Sequence, residues 1–255
     1  MIKNINKITF YVIAILTFAI TVGSMNHAAG LQHKYTSKSP AIPFNDSQYE
    51  LTTWQEFFKM EAVNKQIDLL NPDYELLAAA VFYAANEFRQ NKNLPQFKYS
   101  RDLRDAAENH SRQMCDSGFF GHNNRKDTAN YTPRKRINNV GGRYFIVAEN
   151  LARIVLHKIN NPKNYYPMKG ENISSQQEFK YFDKKQKDEL PTETYLDFGR
   201  KTIKIMEENK AYLANLLSLH FSHCACAVAI PREPFKKKNL PLGLVTQTFG
   251  GYKLN

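Results

Sequence analysis

Leu103, Ala106, Ala107, His110 and Met114 recur three and four residues apart, so on a helix they share one face, whereas Arg104, Asp105, Glu108 and Arg112 fall away from it. Ser100 suits a helix start and Gly118 a helix end, so the spacing predicts a helix from Arg101 to Ser117. A chain that buries this stripe must also bury His110. Gly118-Phe119-Phe120-Gly121-His122 then reverses the chain, with two aromatics available to anchor the loop that places His122. After a polar loop, residues 143–148 are rich in β-branched and aromatic side chains and read as a strand with Glu149 at its end. A carboxylate after such a run is at least partly buried and needs a partner. Two histidines and a glutamate therefore converge without a recognisable catalytic motif.

The remaining periodicity supplies helices first and strands last. Residues 72–91 carry Leu77, Ala80, Val81, Ala84 and Phe88 at helical spacing behind Pro72, and the alanines on that face allow neighbours to approach closely. Residues 194–217 read as one further helix, with Leu196, Ile203, Met206, Leu213 and Leu217 as its buried stripe. Residues 221–230 and 242–249 read as two strands joined by a Pro- and Lys-rich loop. Trp54, Phe57 and Phe58 mark a short amphipathic helix that packs on the domain. Residues 153–193 lose all periodicity and read as an exposed insertion with at most a short helix.

The N-terminus reads as a targeting segment. Lys3 and Lys7 precede an uncharged run over residues 8–22, long enough for a signal peptide and short for a membrane span. We take residues 1–30 as a signal peptide, 31–71 as a linker with its N-terminal helix, and 72–255 as one domain carrying the insertion. An uncleaved anchor is the competing reading. Removing residues 1–30 takes away two lysines and no acids, so the net charge of +11 falls to +9. The charges are mixed along the chain and not interleaved with aromatics, which argues against specific nucleic-acid binding and for a solvated surface. The 3 cysteines leave two readings open. Cys115 bridges Cys224 or Cys226, or all three are buried thiols. A Cys-x-Cys metal site would need His220 or His223, and strand parity turns His223 away.

Several short pieces in order resemble the CAP superfamily of cysteine-rich secretory proteins, antigen 5 and pathogenesis-related proteins, in particular its bacterial SCP-like extracellular branch. They are Asn86-Glu87-Phe88-Arg89, His110-Ser111 with Met114, Gly118-Phe119-Phe120-Gly121-His122, Ala148-Glu149-Asn150-Leu151-Ala152 and Thr246-Gln247-Thr248-Phe249-Gly250. The resemblance implies an α+β fold, a three-layer α-β-α sandwich with a mainly antiparallel central sheet. It also implies export, to periplasm or exterior, with no stable membrane span after signal removal. In that family a histidine three residues before Asn215 completes a site with the loop histidine and the glutamate. Here that position is Tyr212.

The substitution bears on chemistry. A neutral imidazole ligates zinc near pH 7, whereas a phenol with a reference pKa near ~10 must first lose its proton. His122 and Glu149 remain as candidate ligands for a divalent cation such as zinc, below the three of a catalytic zinc site. We therefore expect an exported, non-catalytic domain that binds a small-molecule, lipid or cell-envelope ligand in a groove lined by His110, His122, Glu149, Glu208 and Tyr212. The alternative is a metal-assisted, peptidase-like hydrolase using His122 and Glu149. No nucleophile elbow, phosphate loop or His-Glu-x-x-His pair supports another enzyme class.

Overall fold

The computed structural model describes residues 44–159, 164–169, 179–231 and 239–252. The expected signal peptide, residues 31–43 of the expected linker and most of the loop after residue 230 lie outside that range. In chain order come α1 (Gln48–Leu51), α2 (Trp54–Lys59), a 3-10 turn (Ala62–Asn64), α3 (Tyr74–Asn91), β1 (Lys98–Tyr99), α4 (Arg101–Ser117) and α5 (Pro133–Asn139). They are followed by β2 (Ile146–Val155), β3 (Tyr165–Lys169), β4 (Phe179–Asp183), α6 (Tyr195–Glu207), α7 (Lys210–Leu217), β5 (His223–Ala229) and β6 (Leu242–Gly251).

The central sheet has the order β1-β5-β6-β2, and β1 runs parallel to β5 while the other pairs are antiparallel. It is thus mixed and mainly antiparallel. β2 and β6 pair along their whole length, from Ile146 opposite Gly251 to Val155 opposite Leu242, and β2 forms an outer edge. On one face, Leu77 and Val81 of α3 and Phe198 and Ile203 of α6 pack with Cys226, Val228, Val245 and Phe249. On the other, α4 sets Leu103 and Ala106 against Ala225, and Met114 against Leu151 and Leu244. The result is the expected three-layer α-β-α sandwich. The alanine face of α3 admits α6 closely: a Cβ on Gly199 would lie 2.4 Å from the Ala80 carbonyl oxygen.

Helix boundaries follow the capping chemistry. Ser100 Oγ accepts from Leu103 N–H at the start of α4, and Gly118 closes it in the left-handed region at φ 67°. Asp73 caps α3 through Leu76 N–H, and Thr53 caps α2 in a reciprocal pair with Glu56.

Four expectations need correction. The helix expected over residues 194–217 is two, because Asn209 Oδ1 accepts from the N–H groups of Ala211 (3.0 Å) and Tyr212 (3.3 Å) and so starts α7 afresh. The polar loop before residue 143 contains α5, started by Thr132 as cap and Pro133 in the first turn. Glu149 is not at the end of its strand: β2 continues to Val155, since β6 offers a partner to every residue along it. Residues 153–193 hold no helix before Tyr195 among the described positions but a strand pair, β3 with β4, where Tyr166 stacks on Phe182 at 5.6 Å. Beyond that pair the chain returns to the core through Glu193 N–H to Leu156 O (2.8 Å) and Ile67 N–H to Glu193 O (2.9 Å).

The cysteines resolve by topology. None of the three is in a disulfide. Cys224 and Cys226 face the α3 side of the sheet, whereas Cys115 packs beside Met114 on the α4 side, so the sheet separates them. Burial pushes the Cys224 thiol pKa well up, which makes it a small apolar side chain and a poor metal ligand. No helix among the described residues is long and apolar enough to cross a membrane.

Candidate functional site

The apolar stripe of α4 does bury His110 completely, and its Nε2–H donates to the Gly121 carbonyl at 3.0 Å. That bond fixes the loop between α4 and His122, and Phe119 packs edge-on against the His110 ring at 5.8 Å. Nδ1 of His110 is buried without a hydrogen-bond partner. Burial lowers the His110 pKa to about 4; Glu149 opposes the shift, and Arg136 and His122 add to it. His110 is therefore a neutral support for the loop, not a proton carrier near pH 7.

Held in this way, His122 reaches the edge strand β2. Its Nδ1 lies 2.9 Å from Glu149 Oε1 and its Nε2 lies 3.1 Å from the Tyr212 hydroxyl. Since a carboxylate only accepts, Nδ1–H donates to it and the Nε2 lone pair accepts the Tyr212 O–H. The other carboxylate oxygen, Oε2, accepts from Arg136 at 2.6 Å. Both Arg136 and Glu149 side chains are 1% exposed, whereas His122 is 41% exposed. The cluster thus runs Arg136–Glu149–His122–Tyr212, from a buried ion pair to the surface.

Tyr212 arrives from the other layer of the sandwich. It can do so because β2 is the sheet edge, around which α7 folds. Asn150, next to Glu149 and pointing to the opposite face, donates to the Tyr212 carbonyl (3.3 Å) and to Gln247 Oε1 (3.3 Å) and accepts from Asn215 (2.8 Å). Adjacent residues of one strand therefore hold both ends of the cluster. Burial raises the Tyr212 pKa, a backbone hydrogen bond from Leu151 opposes this, and Glu149 reinforces it. The phenol stays protonated and continues to cover His122.

Four of the five expected groove residues meet here: His110, His122, Glu149 and Tyr212. Glu208 does not join them. It lies exposed where α6 ends, whereas Tyr212 stands on the separate helix α7. Sequence reasoning missed Arg136 and Asn150. Thr132-Pro133 signalled a helix start and put Arg136 and Ile137 on its inner side, but a charged residue in a polar stretch gives no sign of burial.

The donor set does not fit a divalent cation. Both nitrogens of His122 and both oxygens of Glu149 are engaged by protein groups, and Arg136 adds a fixed positive charge beside the carboxylate. Among the described residues no group of three His, Cys, Asp or Glu side chains is arranged to hold a metal ion.

The model of the cysteine-rich secretory protein family, CAP, matches residues 82–231. The chain belongs to the CAP family. That match runs from the middle of α3 to just past the end of β5 and so contains every member of the cluster. Among solved structures, an extracellular protein containing an SCP domain from Bacillus anthracis is 17% identical over 71% of this chain and 42% of its own, with a TM-score of 0.46. An outer surface protein from Borrelia burgdorferi is 12% identical over 69% of this chain and 92% of its own, with a TM-score of 0.42. This CAP chain thus spans less than half the length of the Bacillus protein. No curated protein matches it.

Proposed function

We propose that this CAP domain is exported and works by binding, presenting His122 and Tyr212 over Glu149 to a small-molecule, lipid or cell-envelope ligand without catalysing a reaction. The observation that carries the reading is that both ring nitrogens of His122 and both carboxylate oxygens of Glu149 already have a hydrogen-bond partner within the protein. His122 gives its Nε2 to Tyr212 and its Nδ1 to Glu149, and Glu149 gives its second oxygen to Arg136. What remains open to solvent is the half-exposed imidazole and the phenol ring beside it, a surface suited to recognition. Export rests on Lys3, Lys7 and the uncharged run over residues 8–22.

Calorimetric zinc titration of the chain from Leu31, beside its His122→Ala variant, tests the non-catalytic part. The expected result is no stoichiometric binding in either protein. Stoichiometric binding that disappears in the variant would overturn this reading in favour of metal-assisted hydrolysis and would justify a peptidase assay.

A further inference from the structure

A cavity of about 820 Å³ lies beside the C-terminal half of α4, and none of His110, His122, Glu149 or Tyr212 lines it. Its volume falls in the range of small-ligand sites, roughly 300–1,000 Å³. Met114, Phe119, Phe120, Leu242 and Leu244 give it apolar walls. Two charged side chains on its wall have no ion-pair partner among the described residues. One is Arg153, whose guanidinium lies 4.2 Å from the centre of the Phe120 ring, and the other is Asp116, exposed near the end of α4. The other charges there are already paired, Arg104 and Arg112 with Glu108 and Arg104 also with Glu75.

The main chain contributes as well. β5 pairs with β1 only at His223 and Cys224, and residues 227–231 then line the cavity without a strand on that side among the described residues. A hydrocarbon chain gains nothing from peptide groups and is repelled by none of the apolar wall, whereas a peptide uses both. An unpaired cation and an unpaired anion on one apolar cavity likewise match a ligand carrying both charges, and an anionic amphiphile matches only one.

We propose that this cavity is a second binding site, distinct from the His122 cluster, and that it takes a short apolar peptide whose carboxylate meets Arg153 and whose ammonium meets Asp116. Phe119 links the two regions, since it lines the cavity with one side and packs on His110 with another.

The test is a titration of the intact ¹⁵N-labelled protein, followed by NMR, with a pool of free-termini tetrapeptides of leucine, valine and phenylalanine. The same pool with acetylated and amidated ends, and dodecanoate, serve as competing probes. The free pool is expected to shift the amides of Phe120, Ala229 and Leu244, with affinity falling at least about tenfold in Arg153→Ala, in Asp116→Ala and for the blocked pool. His122→Ala is expected to bind the pool as the parent does, which separates this site from the cluster. Equal binding of free and blocked pools, tighter binding of dodecanoate, or no shift at millimolar peptide would each overturn the proposal. Both charge variants lie on exposed positions and keep the apolar wall, so their folding is checked by the unchanged remainder of the spectrum.

Discussion

Glu149 is the residue on which the cluster turns, because its two oxygens hold opposite kinds of neighbour. Oε1 takes His122, which is half open to solvent, and Oε2 takes Arg136, which is buried. Removing the charge alone leaves the guanidinium without a counter-charge in a dry place, and such changes cost about 3–5 kcal/mol. Glu149→Gln is therefore expected to lower unfolding stability by about that much in urea titration. The paired change Arg136→Met with Glu149→Leu is expected to cost clearly less than the sum of the singles, because it removes both charges together. If the double variant costs as much as the two singles added, the ion pair is not the unit described here. Tyr212→Phe is a milder change. It deletes one hydrogen bond to an imidazole that water can reach and one from the Leu151 backbone, so about 0.5–1.5 kcal/mol for each is expected from the same titration.

At the scale of elements, the break between α6 and α7 decides where Tyr212 points. Asn209 makes that break by capping α7, and its replacement by alanine is expected to cost about 1 kcal/mol. The same variant is expected to move the His122 side-chain NMR signals, because the cap binds the Tyr212 N–H directly. A stability loss without that movement would place Tyr212 under the control of Asn150 alone. Gly199→Ala probes the opposite layer. Its Cβ would meet the Ala80 backbone, which cannot yield as a side chain would, so α3 and α6 must separate at a cost of about 1–3 kcal/mol, read from the thermal midpoint. These elements differ in how plainly the sequence wrote them. α4 was legible to the residue, since a stripe, a serine cap and a left-handed glycine all agreed. The α6–α7 break was not, because Glu208-Asn209 does not interrupt the apolar spacing, and only the side chain's bond back to the main chain ends the helix. β2 was half legible: Glu149 and Asn150 interrupt its apolar run, and pairing with β6, a contact between distant parts of the chain, extends it.

At the scale of the molecule, the pieces that make the cluster come from four elements and one loop, and only the edge position of β2 lets both outer layers reach them. The order of the short motifs disclosed the architecture. The buried charge of Arg136 stayed hidden, because periodicity reports which face is apolar and not which charge is neutralised by a partner far along the chain. A second consequence belongs to the whole fold. His110 and His157 both lie buried in the interior, with pKa lowered to about 4 from the usual 6.5, in each case chiefly by burial. Glu149, Arg136 and His122 face the first, and Glu189 and Lys201 the second. For both, the unfolded chain takes up a proton that the folded chain refuses, so their contribution is complete above pH 6.5 and is lost progressively as the pH falls to about 4. Crossing the whole interval costs on the order of 3 kcal/mol for each. Urea titrations at intervals between pH 7 and pH 4 are expected to show stability falling across that window, with the slope reduced by about half in His157→Phe, whose ring can still pack edge-on against Tyr181. A flat profile between pH 6.5 and 4 would mean that both imidazoles are protonated in place, and that the fold opens locally to water at each of them.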